Sequence, residues 1–175
     1  MKLKIILPLK KININGKELV IPKLGLNYYE KFKEAKSPEE TLKIVLDSVD
    51  KNLSFKEAHL VLLHLAEFNG KCNDTFEYNN KIYSINDVYI LPTPKFTYQG
   101  KEYKFRDILP GEKFSTAKEL LETLSLEKVD FGSMPAFVYK WADELGKSIA
   151  INLDDKVVYG DDILGLFQNE NTWFI

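Results

Sequence analysis

His59 and His64 are the only histidines in this chain, Cys72 is its only cysteine, and Glu67 lies between them. Imidazole, thiolate and carboxylate are the groups that ligate metals and move protons near neutral pH. The two histidines are five residues apart, which on a helix separates them by about 140°. Helical zinc pairs use a spacing of four, with a general-base Glu between the ligands. His64, Glu67 and Cys72 would supply three ligands at no established spacing. The simpler reading is that His64 packs or hydrogen-bonds within a helical layer, and that His59 is a surface or boundary residue.

Gly146-Lys147-Ser148 has the ending of a phosphate-binding loop. The full motif needs a second Gly five residues earlier, after a strand. That position is Trp141, inside an amphipathic pattern, so Gly146 reads as a helix terminator and nucleotide binding is rejected. The acidic pairs Glu39-Glu40 and Asp161-Asp162 fall at expected helix starts, where negative charge favours the dipole. Asp154-Asp155 falls in a turn. Paired carboxylates can act as general acid and base, but capping and turn formation account for all three pairs. No Gly-x-Ser-x-Gly elbow occurs, and Cys72 has no catalytic-family surroundings. The residues therefore imply no catalytic site, metal site or cofactor.

The elements that must position these groups are dominated by one recurring pattern. Ile12–Ile21, Phe76–Ile85 and Phe96–Phe105 each alternate around Asn-Gly, Asn-Asn or Gln-Gly followed by Lys. Such turns need positive φ and match the twist of paired strands. Ile151–Tyr159 is a looser fourth copy around Asp-Asp. Residues 2–7 alternate Lys and apolar groups and read as a further strand ended by Pro8. Helices are expected from Leu26, from Ser37-Pro38-Glu39-Glu40 and from the capping box Ser54-Phe55-Lys56-Glu57. The last is apolar nearly all round, which predicts burial on more than one side, with Gly70 as its end. Pro92 and Pro94 exclude a central strand between the second and third hairpins. Further helices are expected from Thr116, from Ser133-Met134-Pro135 and over residues 161–167. The fold class is α+β, with short β-hairpins combined with two helical layers. Residues 1–175 are expected to form a single domain, with possible lobes at 1–72 and 73–175.

Composition narrows the function classes. The 175 residues carry a net charge of −2, so no overall field draws the chain to nucleic acid or an anionic membrane. Of 24 basic residues only Arg106 is arginine, and the bidentate fork that reads phosphate and guanine is nearly missing. Abundant Lys, Asn, Ile and Tyr match an AT-rich genome. One cysteine excludes an intrachain disulfide. The apolar stretch near Met1 is too short for a secretory leader, and no stretch approaches a membrane span. The expectations are no nucleic acid, no membrane span, and a cytoplasmic or assembled-particle protein.

The aromatics cluster around the hairpins. Strands favour them, and cross-strand pairs stabilise sheets. They are also common binding anchors. Tyr28, Tyr29, Tyr83, Tyr98, Tyr103, Trp173 and Phe174 are the candidate interaction residues; the last two suggest docking on this chain or on a partner.

Gly16–Leu24, the Tyr28-Tyr29-Glu30-Lys31 helix and His64–Lys71, taken with length and element order, resemble the small baseplate hub proteins of T4-like contractile-tailed phages. The distal hub subunit is closest in length. The resemblance runs over residues 1–110 and carries no catalytic motif. Larger relatives have cysteine pairs after the helices; Cys72 alone argues against a zinc-stabilised segment here. The resemblance implies a structural or assembly component of the tail baseplate hub, in the virion and assembled in the host cytoplasm. It implies other phage tail or hub proteins as partners, and a homo-oligomer as a further possibility. The alternative is a small phage-encoded effector that binds and inhibits a host protein. A hydrolase using His64 and Glu67 is the third class, and burial of His64 among leucines would end it.

Overall fold

The computed structural model describes residues 3 and 5–168. Strands β1 (Leu9–Ile14) and β2 (Lys17–Pro22) form the first hairpin. Helices α1 (Leu26–Glu34), α2 (Pro38–Ser48) and α3 (Phe55–Phe68) follow. The second hairpin is β3 (Thr75–Tyr78) with β4 (Lys81–Ser84). After the short strand β5 (Tyr89–Ile90) comes the third, β6 (Phe96–Tyr98) with β7 (Lys101–Tyr103). Helix α4 (Ala117–Leu124) and two 3-10 turns lead into α5 (Tyr139–Gly146). Strands β8 (Ile149–Asn152) and β9 (Val157–Tyr159) and helix α6 (Asp162–Phe167) complete the described chain. The class is α+β, as expected. Among the described residues no helix is long and apolar enough to cross a membrane.

The three expected turns adopt positive φ at both central residues: Asn15 and Gly16, Asn79 and Asn80, Gln99 and Gly100. Each hairpin is a separate two-stranded sheet. Two strands cannot bury an apolar face by themselves, so each hairpin must lie on something else. Ile14, Leu19 and Ile21 of the first face the core under α3. In the second, the opposed pair Phe76 and Tyr83 stack at 5.4 Å, and Phe76 meets Phe167 of α6 edge-on at 4.9 Å. The lysines that follow the turns find acidic partners. Lys17 pairs with Asp50 at 2.8 Å, Lys81 with Asp154 at 2.6 Å and Lys101 with Glu127 at 3.1 Å.

The helix starts follow their caps. Ser54 accepts from the Glu57 N–H, and Glu57 accepts from the Ser54 N–H, completing the capping box. Ser37 accepts from the Glu40 N–H, but the Glu40 carboxylate takes the N–H of Lys36 instead, so that box is only half formed. At the end of α3, Gly70 at φ +73° lets its own N–H reach the Glu67 carbonyl and that of Lys71 reach Ala66. This is the Schellman closure that glycine permits.

Two cores result. The first joins β1–β2, α2, α3 and residues near Ile85 to Ile149, Ile151, Ile163 and Phe167. The second lies between β5 and β8 in sequence, where Trp141 stacks on Phe96 at 4.8 Å among Phe105, Leu121, Leu124 and Phe131. β8 is the centre of a three-stranded sheet in the order β5-β8-β9, which makes β5 an edge and leaves Pro92 beyond its last pair. Lys56, 4% exposed, links the two cores: its ammonium donates to the Leu91 carbonyl at 2.9 Å and pairs with Asp107 at 3.0 Å. Asp107 also accepts from the Thr93 hydroxyl.

The strand expected over residues 2–7 is not formed in the described part of that segment. Pairing begins at Leu9 opposite Pro22. Alternation alone made the segment strand-like, and among the described residues nothing lies opposite it.

Gly100 has open space where a Cβ would sit, so its φ of +75° is the whole reason for glycine there. Gly100→Ala should cost about 1–2 kcal/mol. Gly165→Ala, inside α6 with equally open space, should stabilise by about 0.5–1 kcal/mol. Urea unfolding of the two variants checks both signs.

Candidate binding groove

Three motifs that mean little separately meet on one surface. α3 turns Phe55, His59, Leu62 and Ala66 to the same side, at the spacing that stacks residues along a helix face. The start of α2 faces them with Pro38, Thr41 and Leu42. The third wall is Gly146-Lys147-Ser148-Ile149 with Tyr159, Gly160, Asp161 and Leu164. The groove between them holds about 660 Å³, within the range of small-ligand and peptide-side-chain pockets. A wider depression between α1 and α2 is lined by Lys31, Lys33, Glu34, Lys36 and Glu40. It is shallow and carries charges of both signs, so water competes for it; the apolar groove is the surface that can exclude water.

At the polar end of the groove, His59 bridges two motifs. Its Nε2 lies 3.2 Å from an Asp161 carboxylate oxygen, and its Nδ1 lies 2.5 Å from the Ser148 hydroxyl. With Nε2–H donating to Asp161, Nδ1 accepts from the Ser148 O–H. Burial holds the His59 pKa below its ordinary value, against the opposing pull of Asp161. The composition is that of a serine–histidine–aspartate triad. The geometry differs, because a triad joins serine to Nε2 and aspartate to Nδ1. Ser148 is 2% exposed and presents no face to an incoming carbonyl, while the Asp161 side chain is 99% exposed. The contact serves to hold the start of β8 and the start of α6 against α3. Asp161 and Asp162 are at a helix start, as expected, but Asp161 makes no side-chain cap.

His64 and Glu67 lie elsewhere, against β1. Lys10 pairs with Glu67 at 2.6 Å and its ammonium lies 3.4 Å from His64 Nδ1. His64 is 5% exposed on the stretch of α3 that also buries Leu60, Leu63 and Leu65. The condition for hydrolytic use of His64 with Glu67, two side chains open to a cleft, is not met. Burial, with the Lys10 cation beside it, pushes the His64 pKa down to about 4. Burial and the Glu67 charge push the Cys72 thiol up to about 11. Among the described residues no group of three His, Cys, Asp or Glu side chains could hold a metal ion.

The described candidate aromatics are all half-buried. Tyr98 meets Phe137 edge-on at 5.5 Å, and Tyr103 lies 5.4 Å from Trp141. Tyr83 stacks on Phe76, and Lys31 and Lys71 cover Tyr28 and Tyr29. Trp173 and Phe174 lie outside the described residues. Sequence reasoning overlooked the fully exposed apolar side chains, Leu3, Ile5 and Ile6 at 91%, 81% and 86%, with Leu9 next to them. Their alternation with lysine was the available signal.

A model of the baseplate hub distal subunit family matches residues 21–167. The chain is also similar to the baseplate hub assembly protein gp28 of Enterobacteria phage T4, at 40% identity over 96% of this chain and all of that protein. The chain belongs to the baseplate hub distal subunit family. No solved structure matches it. The family match covers the second core, the whole groove and the first core apart from Ile14 and Leu19. It leaves the exposed strip at Leu3–Leu9 of this hub-family chain outside.

His64 yields a pH dependence with a defined sign. Its folded pKa lies below its unfolded value, so its contribution is complete above about pH 6.5 and is lost as pH falls toward 4. The loss should amount to roughly 3 kcal/mol. His64→Leu should flatten that part of a pH–stability curve, and the wild-type His64 ring signal in NMR should titrate near pH 4.

Proposed function

We propose that this chain is a structural and assembly component of a contractile-tail baseplate hub, acting by binding other hub proteins and without catalytic turnover. The observation that carries the reading is the match along almost the whole chain to a protein named for hub assembly. The structure supplies a matching surface. Leu3, Ile5, Ile6, Leu7 and Leu9 form an exposed apolar strip that leads straight into β1. An extended apolar strip is suited to strand addition on a neighbour's sheet edge, where main-chain bonds give affinity and alternate side chains fill pockets. The half-exposed faces of Tyr28, Tyr29, Tyr83, Tyr98 and Tyr103 extend the contact surface. Exposed apolar strips of this kind mark interaction sites in soluble proteins.

Nucleic acid has no place in this reading. The lone Arg106 forks onto Glu112 at 2.7 and 3.0 Å and is spent on the loop before α4. The Lys56 tie between the cores supports residues 1–175 acting as one unit, delivered to the virion baseplate after assembly in the host cytoplasm.

Co-expression with the other hub proteins of the same phage, followed by size exclusion with light scattering, tests the proposal. The wild type should co-elute in a complex of defined mass, and the double variant Ile5→Asp/Ile6→Asp should elute apart with an unchanged circular dichroism spectrum. A wild-type chain that stays monomeric beside every hub protein would falsify the reading.

A further inference from the structure

We propose that the exposed apolar strip of one copy, Leu3 with Ile5, Ile6 and Leu7, docks on a second copy of this chain, along the free edge of β9 and into the groove beside α3. The contact deepens the reading of that strip as a docking element and rests on it. In its own chain the strip is uncovered: Leu3, Ile5 and Ile6 are almost fully exposed, and none of them lines the groove. The fold keeps the two apart. The strip runs into β1, whose Lys10 lies against His64 and Glu67, whereas α3 walls the groove with Phe55, His59, Leu62 and Ala66. His59 and His64 are about 140° apart around the helix axis, so strip and groove lie on different sides of α3. Each copy thus carries both halves of a contact that it does not make with itself.

The receiving edge follows from the hydrogen bonds of β9. The Gly160 N–H donates to the Ile149 carbonyl at 3.0 Å, and the Leu153 N–H donates to the Lys156 carbonyl at 2.8 Å. The pair Ile151 and Val158 lies midway between these bonds. Bonded pairs alternate with unbonded ones in an antiparallel ladder, so Val158 turns its backbone polar groups toward β8, while Val157 and Tyr159 turn theirs away. β9 is an outer strand of its sheet, and among the described residues no strand covers that side. A row of unpaired N–H and C=O groups is a template for another strand. Tyr159, Gly160 and Asp161 also line the groove, so a strand laid on this edge continues into it.

Length and charge select the occupant. Residues 3–7 span up to about 17 Å when extended. The α3 wall from Phe55 to Ala66 is about 16 Å long, from the helical rise per residue. Alternate side chains of an extended segment share a face, so Leu3, Ile5 and Leu7 can enter together against Phe55, Leu62 and Leu164. The two segments carry opposite charge. Residues 1–11 hold four lysines and no acid, and residues 154–162 hold four aspartates and one lysine. The Asp161 side chain stands wholly exposed at the polar end of the groove. Complementary charge of this kind steers association and fixes register. Two different patches meet, so each copy receives one neighbour and docks on another.

Light scattering on the purified full chain, with no other hub protein present, tests this. The wild type should weigh at least twice the 20.2 kDa monomer. Ile5→Asp/Ile6→Asp removes the strip. Val157→Pro removes an outward N–H at the first residue of β9, a position where a strand tolerates proline. Each variant alone should be monomeric, with an unchanged circular dichroism spectrum. An equimolar mixture of the two should form a one-to-one pair of twice the monomer mass, because the strip of the proline variant meets the intact edge of the other. If Val157→Pro fails to fold, Asp161→Lys, at a fully exposed side chain, takes its place in both samples. A wild type that is monomeric at every concentration overturns the proposal; if it still joins other hub proteins, the hub reading stands without this contact. Self-association that survives in either folded variant overturns it as well. So does a mixture that stays monomeric while the wild type associates, since the strip then meets a surface other than β9.

Discussion

Helix α3 is buried by Ala58, Val61 and Leu65 on one face and by Leu60 and Leu63 on another, and the first core is built around that fact. A helix apolar on every side must be covered on every side. β2 covers one flank, α2 another, and β5 and β8 a third. The first hairpin needs α3 equally, because two strands cannot bury an apolar face by themselves. The charged residue at the buried start of the helix, Lys56, is the one that ties in the second core, through Asp107 and the Leu91 carbonyl. Removing one partner from such a pair leaves a buried charge without its counterion, which costs more than the pair itself contributes.

That dependence explains which features the sequence disclosed. The hairpin turns, the Ser54 capping box and the Gly70 closure are settled within a few residues of chain, by backbone sterics and local hydrogen bonds. They were legible at once. The pairing of Tyr89 and Ile90 with Ala150 and Ile149 reaches across the whole second core, and no local pattern announces it. The same holds for the groove. His59, Ser148 and Asp161 each stood out by type, yet each had a sufficient local explanation, and only packing brought them together. The apparent strand at residues 2–7 failed in the opposite way. Its alternation was real, but a strand needs a partner, and among the described residues none lies opposite.

The site logic follows from the same economy of charge. The cationic Lys10 sits against buried His64 and neutralises Glu67, and Arg106 is held by Glu112. The titratable groups with the most chemical potential are thus engaged in holding elements together. Among the charged surface residues stand two apolar features, the strip from Leu3 to Leu9 and the groove beside α3. A hub-family chain with exposed apolar surface of this kind is suited to binding its neighbours.

A protein built into the baseplate hub stays with the finished particle. Quantitative mass spectrometry of purified, nuclease-treated virions, with baseplates isolated from the same particles, measures this most directly. The chain should appear in both fractions at a fixed ratio to the other hub proteins. Its presence in infected-cell lysate together with its absence from isolated baseplates would mean that it is not a built-in hub part.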